Sequence, residues 1–81
     1  MTHEAITDRL LTLARERFGA RAQTLSAGDD LYASLGIDSL QAMSLLTDVE
    51  DAFDVEIPDY EIADVRTLAS IAGIVARRRG R

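Results

Sequence analysis

The residues with the clearest chemical potential are Asp38 and Ser39, adjacent in the stretch Leu35-Gly36-Ile37-Asp38-Ser39-Leu40. A serine in such a place has four uses. It can simply open a helix, where serine is at ease. It can act as a nucleophile, which needs a base. The only histidine is His3, at the far end of the chain, and the residues around Ser39 lack the second glycine of a nucleophile elbow. It can accept regulatory phosphorylation, which a helix N-terminus tolerates well. It can also be the covalent anchor of a phosphate-linked cofactor. A self-sufficient hydrolase is disfavoured by the missing base; the other three uses stay open on these residues alone.

Other chemistry is excluded cheaply. The chain has no cysteine, so it can form no disulfide, thiolate nucleophile or cysteine-ligated metal site. The run Asp48-Val49-Glu50-Asp51-Ala52-Phe53-Asp54-Val55-Glu56-Ile57-Pro58-Asp59 has enough carboxylates for a calcium loop. It has Phe53 where such a loop needs its sixth-position glycine, and much of it reads as helix. No resident metal is expected.

Helices must position Ser39. Ile6, Leu10, Leu13, Ala14 and Phe18 recur at helical spacing and predict a first helix from Thr2 or His3 to a stop at Gly19. A long connection, 19–38, follows. Gly28 and Gly36 break it, and Leu25, Leu31, Leu35 and Ile37 pin it to the core. So long a loop in so small a domain points to function. The second helix is predicted from Ser39 to about Phe53, with Asp38 as its N-cap and Leu40, Met43, Leu46, Val49 and Phe53 as its apolar stripe. Pro58 makes the next stretch a connector. Asp59 is expected to cap a short helical turn, Tyr60 to Asp64, and Thr67 to cap a last helix striped by Leu68, Ile71, Ala72 and Val75. The fold class is therefore all-α. It is a small four-helix bundle, three main helices plus a short third one, with a long loop between the first two. The short helix has little apolar surface of its own. With 81 residues the chain is one domain, 1–81, whose basic tail 77–81 is expected to fray.

Charge sorts the partners. The net charge is -5, and every charged residue from Ser39 to Asp64 is acidic, whereas Arg66 and the arginines of the tail are the only charges after it. Phosphate contacts need cations, so nucleic acid is not an expected partner. Basic protein partners suit the acidic middle better. A basic reading helix for DNA is missing outside the tail. No apolar run is long enough to span a membrane, and the N-terminus carries acids early without a signal-peptide pattern. A cytoplasmic monomer is expected.

Gly36, Asp38, Ser39 and Leu40, followed at the same spacing by Phe53 and Ile57-Pro58, with Thr67-Leu68 opening the last helix, resemble the acyl carrier protein family along essentially the whole chain. The resemblance implies that Ser39 carries 4'-phosphopantetheine, transferred from coenzyme A by a phosphopantetheinyl transferase that supplies activation and magnesium. It implies that Asp38 helps organise the metal during that transfer, besides capping. The thiol of the arm would then hold cargo as a thioester for acyl- or aminoacyl-loading and synthase enzymes, and the domain itself would catalyse nothing. Met43, Leu46, Ile57, Ile62, Val65 and Leu68 are the candidate lining of a cargo cleft; all six are equally consistent with ordinary core. A carrier-like adaptor domain without cofactor is the alternative.

One departure bears on partners. Carriers of the primary fatty-acid pathway usually place acids soon after the serine; here the first half of the helix holds Gln41, Ala42, Ser44 and Thr47, and acids begin at Asp48. This favours a carrier of a polyketide, nonribosomal-peptide or other specialised pathway over the housekeeping fatty-acid role. Leu40, Gln41, Ala42 and Ser44 are the expected partner surface, with Met43 turned inward.

Overall fold

A computed structural model describes residues 2–79. Among them every regular element is helical. Helix α1 spans His3–Phe18. Thr2 caps it, its hydroxyl accepting from the Ala5 amide at 3.0 Å, and Gly19 ends it with φ +65°. A 3₁₀ turn, Gly19–Ala22, leads into the long connection. Helix α3 spans Ser39–Phe53 behind Asp38, and Asp54 closes it in the left-handed region at φ 54°. Helix α5, Leu68–Arg79, opens where the Thr67 hydroxyl accepts from the Ser70 amide at 3.1 Å.

The core forms where α1 lies against both α5 and α3. Ile6, Leu10 and Ala14 meet Leu45, Val49 and Phe53 from α3, and Leu68, Ile71, Ala72 and Val75 from α5. The long connection is pinned as expected: Leu25, Leu31, Leu35 and Ile37 are all buried. It also holds an element that its sequence did not reveal. Leu31–Leu35 form a five-residue helix, α2. The Asp30 carboxylate accepts from the amides of Tyr32 and Ala33 to start it, and Gly36 at φ +66° stops it.

Two further expectations are corrected, and the start of the basic tail takes a place in the fold. The short helix, α4, spans Asp59–Ile62, so Asp59 is its first residue and not its cap; Pro58 precedes it and makes no side-chain cap bond. A proline φ suits a helix start, and its missing amide costs nothing there. Residues 77–79 lie within α5, with Arg77 and Arg78 paired to Glu61 and Arg79 donating to the Phe53 carbonyl at 3.3 Å. Gly80 and Arg81 lie outside the described residues. Last, Leu40 is not in the core of α3 but 79% exposed, and Leu45 is buried in its stead. Each three-residue step falls about 60° short of a full turn, so three such steps carry Leu40 to the face opposite Val49. The buried face follows mixed steps instead, Leu45, Leu46, Val49 and Phe53, with Ala42 half-buried at its start.

Candidate functional site: the mouth of helix α3

Asp38 and Ser39 mark the start of α3 through a reciprocal cap. The Asp38 carboxylate accepts from the Gln41 amide at 2.9 Å, and the Gln41 side chain accepts from the Asp38 amide at 3.1 Å. This satisfies one of the free first-turn amides and fixes the chain's entry angle. Gly36, in its left-handed conformation, makes the sharp approach from α2, and buried Ile37 anchors it. Ser39 thus stands exposed on the first residue of a 15-residue helix, at the positive end of its dipole.

Ser39 also lies on the rim of a cavity of about 280 Å³. One wall is α3, through Ala42, Met43, Leu45 and Leu46. The facing wall is α4 and the residues after it, through Ile62, Ala63 and Val65, while Leu31 and Ile71 form the floor. Tyr32 and Asp59 reach the rim. Of the six cleft candidates, Met43, Leu46, Ile62 and Val65 are therefore brought together. Ile57 and Leu68 are buried elsewhere: Leu68 is a core residue, and Ile57 sits beside the acidic connector, its amide bonded to the Glu50 carboxylate at 2.8 Å. Ala42, Leu45, Tyr32 and Ala63 join the lining without a sequence signal that set them apart from core or surface.

The surface beside Ser39 differs from expectation. Leu40 is exposed, but Met43 is exposed too, at 45%, where it was expected to turn inward. Ala42 is half-buried on the cavity side and packs against the core. Gln41 is half-buried with its amide spent on the cap, and Ser44 is half-buried with its hydroxyl donating to the Leu40 carbonyl at 3.2 Å. The accessible stripe is Leu40, Met43 and Thr47, at i, i+3 and i+7.

Ion pairs hold the surroundings. Arg66 donates through Nε and Nη2 to the Asp30 carboxylate at 2.5 and 3.2 Å, which lowers the Asp30 pKa. Glu61 receives Arg78 and, at 3.2 Å, Arg77; hydrogen bonding to Arg78 above all lowers its pKa. Arg17 of α1 grips Asp48 of α3 with both arms and lowers the Asp48 pKa likewise. Asp48 is thus occupied within the fold.

An exposed hydroxyl, a dipole end with unspent amides and an adjoining apolar cavity are what a phosphate-linked arm with an apolar cargo requires, so the residues fit such a group. Residues 8–75 match the family model described as the phosphopantetheine attachment site. The chain belongs to this phosphopantetheine-attachment family of acyl carrier proteins. It is similar to an acyl carrier protein of Prochlorococcus marinus, 25% identical over 80 residues that cover 99% of this chain and 100% of that one. An acyl carrier protein of Akkermansia muciniphila is 24% identical over 80 residues, with the same coverage. One of Syntrophobacter fumaroxidans is 28% identical over 75 residues, 93% of each chain. The protein is accordingly a non-catalytic carrier, and its cofactor is covalent 4'-phosphopantetheine. Among the described residues, no helix of the carrier is long and apolar enough to cross a membrane.

Proposed function

We propose that Ser39 is the attachment residue, loaded from coenzyme A by a phosphopantetheinyl transferase. On this reading the carrier presents acyl or related thioesters to loading and synthase enzymes of a polyketide, nonribosomal-peptide or fatty-acid-type pathway. The observation that carries the reading is the coincidence at Ser39 of solvent exposure, a capped helix start and the lining of an apolar cavity. The bound arm supplies a thiol that holds cargo as a thioester. The protein's own part is positional. The amides of Ser39 and Leu40 remain for a phosphodiester once Asp38 has taken that of Gln41. Asp38, fixed by its cap, keeps its second carboxylate oxygen for the metal ion used during transfer. Met43, Leu46, Ile62 and Val65 offer an apolar cargo a place away from water.

Partner docking is assigned to Leu40, Met43 and Thr47, with Ser44 at their flank. This stripe is uncharged, and its apolar anchors suit a partner pocket more than a salt-bridge pattern. It supports a specialised pathway over housekeeping fatty-acid synthesis. The test of the reading is intact mass after incubation with coenzyme A, magnesium and a broad-specificity transferase. Wild type should gain one phosphopantetheine and Ser39→Ala none; a gain in the variant overturns the assignment.

A further inference from the structure

A second groove, of about 480 Å³, adjoins the apolar cavity at Ser39. It shares Tyr32, Ser39, Ala63 and Val65 with the apolar cavity, and adds Asp64 and Arg66. Arg66 is the only arginine or lysine between Arg21 and Arg77, so it is the one cation that the groove can offer.

Its placement is over-determined. The Arg66 carbonyl accepts from the Leu31 amide at 2.7 Å, which ties its backbone to α2. Nε and Nη2 are clamped by Asp30 at 2.5 and 3.2 Å. The guanidinium lies over the Tyr32 ring, 4.7 Å from its centroid. Stacking and a bidentate clamp together hold the planar fork in one orientation, so little further freedom is lost when it gains another partner. Nη1 has no hydrogen-bond partner among the described residues.

We propose that Arg66 is the built-in counter-ion of the phosphodiester carried on Ser39. The inference rests on Ser39 being the attachment residue. The charge balance around the site favours it. Asp38, Asp59 and Asp64 all stand near the α3 mouth, and Asp30 already shares Arg66. A new anion on Ser39 enters an acidic setting in which Arg66 is the available compensating charge. The free Nη1 edge can donate to a phosphodiester oxygen while Nε and Nη2 keep their grip on Asp30. Arg66 then holds the first atoms of the arm along the polar groove, whose inner end is continuous with the apolar cavity. Arg66 is thus a positioning residue for the arm.

The test uses the loaded carrier, made with coenzyme A and a transferase and verified by mass. Arg66 side-chain resonances are compared before and after loading, and the phosphorus resonance is compared among wild type, Arg66→Gln and Asp30→Asn. The proposal expects the Arg66 Nε or Nη signals to shift on loading. It expects the phosphorus resonance to move in Arg66→Gln and to stay close to wild type in Asp30→Asn, where the cation remains. An unchanged Arg66 on loading, with identical phosphorus resonances in wild type and Arg66→Gln, overturns it. Should Arg66→Gln fail to fold by circular dichroism, the loading shift in wild type decides alone. Loading that bypasses Ser39 overturns the attachment reading and this inference with it; loading at Ser39 with a silent Arg66 overturns only the inference.

Discussion

The two walls of the cavity beside Ser39 are built by different physics. The α3 wall belongs to a helix that buries Leu45, Leu46, Val49 and Phe53 in the main core. The α4 wall belongs to a four-residue helix with no buried residue, whose Ile62 is only half-covered. Burial of apolar area fixes the first. The second has less apolar cover, Ile62 and Val65 being only partly buried against the core, and is tied in addition by ion pairs, Glu61 to Arg77 and Arg78 on α5 and Arg66 to Asp30 beyond its far end. The α4 wall, with no buried residue of its own, is therefore expected to move more readily than the α3 wall. Segments with few buried contacts are the ones that open at low cost.

The packed wall can be broken most dramatically. Phe53 is 4% exposed at the end of α3, so Phe53→Ala should cost about 3–5 kcal/mol. That is a large share of what a domain of this size has in total. A urea titration checks it, and a midpoint close to wild type would show that α3 is not the rigid wall.

The α4 wall should respond differently. Glu61→Gln removes the anchor of α4 while leaving the core intact. Amide exchange of Ala63 and Val65 should then quicken several-fold, with little change in the global unfolding midpoint. Equal slowing or quickening across α3 and α4 would erase the distinction between the walls.

Acid should loosen the same wall. Glu61 and Asp30 have folded-state pKa values below their ordinary ones, because Arg78 with Arg77, and Arg66, hydrogen-bond the ionised form. A depressed carboxylate contributes stability that is fully present above its unfolded pKa. It is lost as the pH falls through the folded value. The fluorescence of Tyr32 and Tyr60, which flank the α4 wall, should therefore hold steady from neutral pH down to the ordinary carboxylate range and change only below it. A change centred near neutrality would contradict the ion-pair account.

The smallest effect on stability belongs to the exposed stripe. Leu40 is 79% exposed, so Leu40→Ala should shift stability by no more than about 0.5 kcal/mol. Transfer of cargo by a cognate enzyme should nevertheless slow, and should depend only weakly on salt, because the stripe is uncharged. Ala42, facing the cavity, should behave in the opposite way: a bulky charge there strains the fold before it disturbs docking.

What the sequence revealed follows the same division. Helix starts at Asp38 and Thr67 were legible because capping is local chemistry, and the start of α1 near Thr2 or His3 and the stripes of α1 and α5 followed from spacing alone. The five-residue α2 was too short for a helical period to register; only Asp30 and Gly36, its cap and its stop, hinted at it. The inward turn expected of Met43, and Leu40's place on the apolar stripe, failed because a ladder of three-residue steps drifts round the helix; the exposure of Leu40 agrees instead with its place on the expected partner surface. The ion pairs of the α4 wall were not legible at all. Asp30 with Arg66 and Glu61 with Arg77 and Arg78 are distant in sequence, and nothing local marks a charge as paired. For the site, Ser39 and Asp38 were named from their pattern, whereas Tyr32 and Arg66 needed the fold to bring them beside it.

The central claim is that the cofactor sits on Ser39. Cleavage after arginine releases Ala22–Arg66 of the loaded carrier as one peptide, which holds Ser26, Ser34, Ser39 and Ser44 together. Fragmentation of that peptide by tandem mass spectrometry distinguishes them. The account predicts that every fragment containing Ser39, and none lacking it, carries the phosphopantetheine mass. Modification mapped to Ser26, Ser34 or Ser44, or to any residue outside this peptide, would contradict it.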